Sequence, residues 1–208
     1  MFDRGFNAPI RLLVTGFGPF PGMPRNPSAT VVAALGRHRA VFARRGLALT
    51  LRTLPVLYSA ADSFRPEPGM DFVVAVGVAG RRKRVCVETV ARGRRSPRHP
   101  DASGRSPARP RNGIEDELRI DPRWRAPALA VALAKAGVPA QTSRNAGAYV
   151  CNALLYRVLD DGRAPALFIH IPPTRVCSPD RIATALARTL PDAITRFSRR
   201  APPRITRP

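Results

Sequence analysis

The hydrophobic positions of the chain fall into short runs that are flanked by glycine, proline or polar residues. Most of these runs do not alternate with polar residues, which is typical of strands buried on both faces of a sheet. The pattern predicts strands over residues 10–15, 47–54, 71–78, 85–91, 139–143 and 166–170.

Between the strands, apolar residues recur at helical spacing, and some of these stretches begin with a capping residue. Asn26 and Pro27 open one helix, which Gly36 ends, and Ser178 caps the last one, which runs toward Phe197. The predicted helices cover residues 27–36, 58–65, 126–136, 149–159 and 179–197.

Strands that alternate with helices predict an α/β fold. We expect a single domain over residues 1–208, with a mainly parallel, twisted sheet and helices on both faces. In such folds, sites gather where strands end at their carboxyl termini. The loops to search therefore follow Thr15, Val76, Ser143 and Ile169.

Two segments depart from this pattern. Residues 92–111 hold seven arginines, four prolines and one acid, with almost no large apolar side chain. This composition predicts a loop or a partly disordered segment, and we expect a variable Arg/Pro-rich loop over residues 92–124. Residues 198–208 hold four arginines and three prolines, which predicts a flexible basic tail.

The composition narrows the class of protein. The chain has 208 residues, of which 44% are hydrophobic and 24% charged, as in ordinary globular domains. We find no apolar run long enough for a membrane span and no secretory signal, so we expect a cytoplasmic protein. Cys86, Cys151 and Cys177 form neither a disulfide framework nor a CxxC pair, so we expect no metal and no other cofactor.

The charge is the unusual feature of the composition. The 35 Lys+Arg residues outnumber the 14 Asp+Glu residues and give a formal net charge of +21, which raises the hypothesis of nucleic-acid binding. Only Lys83 and Lys135 are lysines, whereas a phosphate-binding surface usually employs both cations. The lopsided ratio favours a codon bias toward arginine and argues against a nucleic-acid partner.

Two of the predicted strand-end loops carry a nucleophile and a base. Cys151 lies just inside the start of a predicted helix, where the helix dipole and free backbone N–H groups favour a thiolate. His170 ends a predicted strand, where an imidazole can face a cleft and act as a general base and then as an acid. A lone cysteine in an apolar helix is more often a core residue, and a lone histidine is more often structural, so both interpretations stay open.

A third group would have to orient the imidazole. Glu88 is the one acid in an otherwise basic and apolar stretch, and it could fill that role. It fits equally well as an ion-pair partner of Arg81, Arg82 or Arg84.

Four segments resemble the pyroglutamyl peptidase type I family, cysteine peptidases that remove N-terminal pyroglutamate from peptides. The likeness covers about residues 12–172, most of the chain. The matching strings are residues 13–28 (LVTGFGPFPGMPRNPS), 77–91 (GVAGRRKRVCVETVA), 144–152 (RNAGAYVCN) and 167–172 (LFIHIP).

The resemblance implies an omega-peptidase that works through a thioester acyl-enzyme. It places the nucleophile on Cys151, the base on His170 and the orienting carboxylate on Glu88. It also implies a peptide substrate with N-terminal pyroglutamate, no cofactor, and a homo-oligomer that is a dimer or a tetramer.

The resemblance further implies three substrate-binding residues. Phe17 and Phe20 match aromatic residues that sandwich the flat lactam ring in the family, although simple core filling is the alternative for both. Arg98 matches an arginine of the family's loop and would meet the oxyanion together with backbone N–H groups near Cys151.

The chain departs from the family pattern around the substrate. Val78 replaces a glutamine near the substrate, and Pro21 replaces a glycine of the wrapping loop. The loop RRSPRHPD retains only Arg98, Pro100 and Asp101 of the family's ordered run. Two hypotheses follow: an active peptidase, favoured by the retained Cys, His and Glu, or a divergent homologue of weak or no activity that acts as a binding or interaction protein.

Overall fold

The computed structural model describes residues 8–107 and 116–199. Within these ranges the strands are β1 (Ile10–Phe17), β2 (Leu47–Leu54), β3 (Phe72–Val78), β4 (Val85–Glu88), β5 (Val90–Arg92), β6 (Glu117–Arg119), β7 (Ala140–Ser143) and β8 (Ala166–Ile171). The helices are α1 (Pro27–Leu35), α2 (Arg39–Ala43), α3 (Tyr58–Asp62), α4 (Ala126–Lys135), α5 (Val150–Asp161) and α6 (Pro179–Arg199). None of the helices in these two ranges combines the length and the apolar character that crossing a membrane requires.

Six strands form the central sheet, in the order β2-β1-β3-β8-β4-β7. β2, β1, β3 and β8 run parallel, whereas β4 pairs with β8 in the antiparallel sense and with β7 in the parallel sense. The expected α/β fold with a mainly parallel sheet is confirmed, with two reversed strands at one edge. The short link from β3 to β4 explains the reversal, because a parallel crossover needs about a dozen residues or more.

Helices cover both faces of this sheet. Residues at alternate positions of β1 and β3, such as Leu12 and Val74, pack in one core with α1, α4 and α6. Their neighbours Leu13 and Val73 point to the other face and pack with α3 and α5. Most sheet positions are buried on both sides, which is why the strands appear as unbroken apolar runs in the sequence.

The prediction of one continuous strand over residues 85–91 is wrong. The run over residues 85–91 divides into β4, in the central sheet, and β5, which pairs antiparallel with β6 in a separate two-stranded sheet. Thr89 lies at the break, where its N–H and hydroxyl both donate to the Ser143 carbonyl oxygen. The chain thus changes sheets directly after Glu88, which a continuous apolar pattern cannot show.

The segment predicted as a variable loop is partly regular. β6 and a 3₁₀ turn at Pro122–Trp124 lie inside residues 92–124, and Trp124 is buried with Phe72 and Phe197 around it. The rest of this prediction falls partly on residues 108–115, outside the described residues. Of the predicted tail, Ser198 and Arg199 belong to α6, and residues 200–208 are likewise outside the described residues.

The reversed strands also correct where the site was expected. Glu88 and Ser143 end β4 and β7, and they are level with Phe168, in the middle of β8. The loops after Ser143 and Ile169 therefore do not leave from the same strand ends. Gly77 and His170 lie near the carboxyl ends of β3 and β8, as expected, whereas Ser143 ends β7 level with the middle of β8.

Candidate functional site

The innermost part of the site is a buried pair of ionisable side chains. Glu88 ends β4 and is fully buried, and His170 lies near the end of β8 with 4% of its surface exposed. His170 Nδ1 lies 2.8 Å from Glu88 Oε1. Because a carboxylate only accepts, Nδ1 carries the hydrogen, and Nε2 is left as the proton acceptor of the neutral ring.

Arg82 is the third member of this cluster. Its Nη2 lies 2.9 Å from the same Glu88 Oε1, and it also donates to the Asn145 carbonyl oxygen at 2.6 Å and to Ser143 Oγ at 3.2 Å. Both sequence-based interpretations of Glu88 are therefore realised at once, since the carboxylate orients the imidazole and pairs with an arginine. The sequence offered three arginines for this ion pair, and only the fold selects Arg82.

Cys151 lies in the first turn of α5, which packs against one face of the sheet. A Cβ added to Gly77 would come within 2.9 Å of Cys151 Sγ and 2.8 Å of the Phe168 ring. The Phe168 ring in turn lies 4.7 Å from the His170 ring, centroid to centroid. The thiol and the imidazole therefore border the same aromatic ring, although no hydrogen bond joins Cys151 to His170 among the described residues.

Gly77 thus makes room for the thiol. We expect Gly77→Ala to lower kcat/KM about 100-fold, because a displacement of the nucleophile by about 1 Å can have that effect. The measurement is kcat/KM on a pyroglutamyl amide, with urea unfolding of the same protein.

Gly80→Ala is the matched control for this change. A Cβ at Gly80 meets nothing within 4 Å, and the residue lies three positions further along, just after β3. Equal losses of activity in the two variants would contradict the assignment of Gly77.

The electrostatics of the site differ from the expectation for Cys151. Burial, and secondly the Glu88 charge, raise the pKa of the Cys151 thiol to about 12, and its own backbone N–H offsets this only in part. Burial also lowers the pKa of His170, against the hydrogen bond and charge of Glu88, which raise it. Desolvation therefore acts on Cys151 against the start of the helix, which the sequence led us to expect would favour a thiolate.

Asn152 and Asp101 attach the neighbouring loop to this site. Asn152 Nδ2 donates to the Arg92 carbonyl oxygen at 2.7 Å, and its Oδ1 accepts from the Arg92 N–H at 3.0 Å. Asp101 accepts from the Tyr58 N–H and from Ser103. Burial raises the pKa of Asp101, but the hydrogen bonds outweigh it and lower the value overall. The resemblance includes Asp101 as a retained loop residue and Asn152 within residues 144–152, but it assigns neither a role, because their contacts exist only in the folded chain.

The three expected substrate-binding residues have different surroundings. Phe17 is 3% exposed and packs toward Phe168, with ring centroids 6.4 Å apart, so it is a core residue that also borders the site. Phe20 is half-buried in the glycine-rich loop, where its backbone forms an isolated β-bridge with that of Met23. Arg98 is exposed, and within the described residues it makes no hydrogen bond or ion pair. The fold thus brings Glu88, His170 and Cys151 together and leaves the Arg98 side chain in solvent.

Comparison with known proteins identifies the family. A profile of the pyroglutamyl peptidase family matches residues 10–192. The chain belongs to the pyroglutamyl peptidase family. Among the residues that the structure describes, no cluster of three His, Cys, Asp or Glu side chains could hold a metal ion.

Several similar proteins come from bacteria. The pyrrolidone-carboxylate peptidase of Chromobacterium violaceum is 34% identical and is matched over 77% of each chain. That of Gloeobacter violaceus is 32% identical over 87% of this chain and 92% of its own. The crystal structure of pyroglutamyl peptidase I from Bacillus amyloliquefaciens superposes with a TM-score of 0.73 at 26% identity, over 90% of this chain and 97% of that one.

Proposed function

We propose that the chain is an active cysteine peptidase that removes N-terminal pyroglutamate from peptides. The observation that carries the proposal is the grouping of Cys151, His170 and Glu88 in a member of the pyroglutamyl peptidase family. A nucleophile at a helix start, a neutral imidazole and a carboxylate that orients it are the parts of a cysteine-dependent acyl transfer.

In the proposed reaction, the Cys151 sulfur attacks the carbonyl carbon that joins pyroglutamate to the next residue. Its proton passes to His170 Nε2 during the attack, because the thiol and the imidazole both start neutral. The oxyanion accepts hydrogen bonds from backbone N–H groups at the start of α5. By resemblance to the family, Arg98 also donates to it once its exposed side chain turns toward the bound substrate. Phe17 and Phe20 border the lactam ring.

Collapse of the tetrahedral intermediate breaks the C–N bond. The proton moves from His170 to the leaving amine, and a thioester of pyroglutamate remains on Cys151. Water then gives a proton to His170 and attacks the thioester, which releases pyroglutamate and returns the proton to the thiolate. Glu88 stabilises the imidazolium in both half-reactions through the 2.8 Å contact with Nδ1.

The cellular setting is part of the same proposal. All three cysteines are unpaired in the structure, and a thiol nucleophile needs a reducing compartment, which supports a cytoplasmic enzyme. By resemblance to the family, we infer that the chain works as one domain and assembles as a dimer or a tetramer.

The test compares two fluorogenic amides under reducing conditions. We expect hydrolysis of the pyroglutamyl amide and none of the prolyl amide, which lacks the lactam carbonyl. An acid-quenched reaction should carry a pyroglutamyl thioester on the Cys151 peptide, detected by mass spectrometry. Binding of the pyroglutamyl compound without turnover would instead support the hypothesis of an inactive binding protein.

A further inference from the structure

The loops that surround Cys151 are joined to one another. Arg175 of the loop after β8 donates to the Gly80 carbonyl oxygen, and Arg82 donates to that of Asn145. The Ser96 N–H donates to the Ala148 carbonyl oxygen at 2.8 Å. These contacts connect four segments into one border of the site, which we call the rim: residues 79–84, 93–107, 144–149 and 172–178.

The rim is basic and offers no exposed carboxylate. Residues 79–84 and 93–107 carry four basic side chains each, and the other two segments carry one each. The one acid of the rim is Asp101, which is 5% exposed and accepts hydrogen bonds from its own loop and from the Tyr58 N–H. Several cations of the rim are exposed and form no ion pair with a described residue: Arg81, Lys83, Arg84, Arg94, Arg98 and Arg175.

The excess of cations on the rim matters because of the charge of a pyroglutamyl peptide. The lactam nitrogen is not basic, so such a peptide has no N-terminal ammonium, and its charge comes entirely from the residues that follow. The solvent-accessible carboxylates that contact the rim from outside it, Asp62 and Glu117, are ion-paired with its Arg95 and Arg144, so the unpaired charge that the peptide meets is positive. Field lines from such a border raise the local concentration of anions and the rate at which they associate.

We propose that the rim selects pyroglutamyl peptides whose following residues are acidic. The proposal rests on the proposed peptidase function and names its substrate class. Individual exposed ion pairs are weak, so the selectivity comes from the summed field of the rim and is screened by salt.

The experiment compares three peptides that differ only in two positions after pyroglutamyl-alanine: Asp-Glu, Asn-Gln or Lys-Lys, each with an amidated C-terminus. We expect kcat/KM to fall in that order, with about a tenfold span at low ionic strength, because steering effects begin at about that size. The difference between the peptides should nearly vanish when added salt shortens the Debye length from about 30 Å to about 3 Å.

A double variant locates the effect on the rim. Arg81→Gln with Lys83→Gln should reduce the preference for the Asp-Glu peptide about threefold, with the uncharged pyroglutamyl amide hydrolysed as before. The control is Arg44→Gln with Arg188→Gln, which removes the same charge from exposed positions next to α2 and on α6. This control should keep the preference.

Different failures have different meanings. Equal kcat/KM for the three peptides, with normal hydrolysis of the uncharged amide, would overturn the charge preference alone. A control variant that loses the preference as much as the rim variant would overturn the role of the rim in favour of the net charge of the chain. Absence of hydrolysis for all substrates would overturn both this proposal and the peptidase function.

Discussion

Cys151→Ala is expected to lower kcat/KM for a pyroglutamyl amide about 10⁴-fold or more, because removal of a catalytic nucleophile leaves only binding and oxyanion stabilisation. The side chain is partly accessible, and it borders Phe168 rather than filling the core centre. The folded state should therefore survive the change. The measurement is kcat/KM of reduced, purified protein, with a urea unfolding curve to establish that the variant is folded.

Cys177→Ala is the matched control for this experiment. Cys177 lies in the rim segment 172–178, but its side chain is buried in the other core, with α6 and α1, and is outside the Glu88–His170 cluster. It should keep nearly full activity. If Cys151→Ala retained more than about a tenth of the wild-type rate, the covalent mechanism would be wrong, since general catalysis alone does not replace an acyl-enzyme.

Glu88→Gln is expected to lower kcat about 10⁴-fold, the size seen when the carboxylate of such a triad becomes an amide. The neutral amide no longer stabilises the imidazolium or holds its tautomer. Glu88 raises the pKa of His170, so its removal lowers that pKa further, and the acid limb of the pH profile should move to lower pH. The measurement is kcat/KM against pH for both proteins.

Arg82→Gln is expected to shift the pKa of His170 in the opposite direction. The Arg82 charge lowers the pKa of His170, so its loss should raise that pKa and move the acid limb to higher pH. Its contacts with Asn145 and Glu88 also break, which should cost some rate. Shifts in the same direction for the two variants would contradict the assignment of Glu88 Oε1 as the shared acceptor.

Much of the fold was predictable because it rests on local patterns. The strand around Val74 and the helix that Asn26 caps were confirmed, since unbroken apolar runs and capping residues act within a few positions of the chain. Short helices were predicted less well. The sequence did not predict α2, and α3 ends at Asp62 rather than near Arg65. A short helix is stabilised mainly by tertiary packing, which a single sequence does not display.

The sequence by itself determined the family, the alternation of strands and helices, and the three residues on which the proposed chemistry depends. Only the tertiary structure decided which arginine pairs with Glu88, that β4 and β7 run against the other strands, and that burial raises the pKa of the Cys151 thiol. The physical reason is the range of the forces. Propensity and capping act between neighbours in the chain, whereas desolvation and shared hydrogen bonds depend on groups brought together from positions such as 82, 88, 151 and 170.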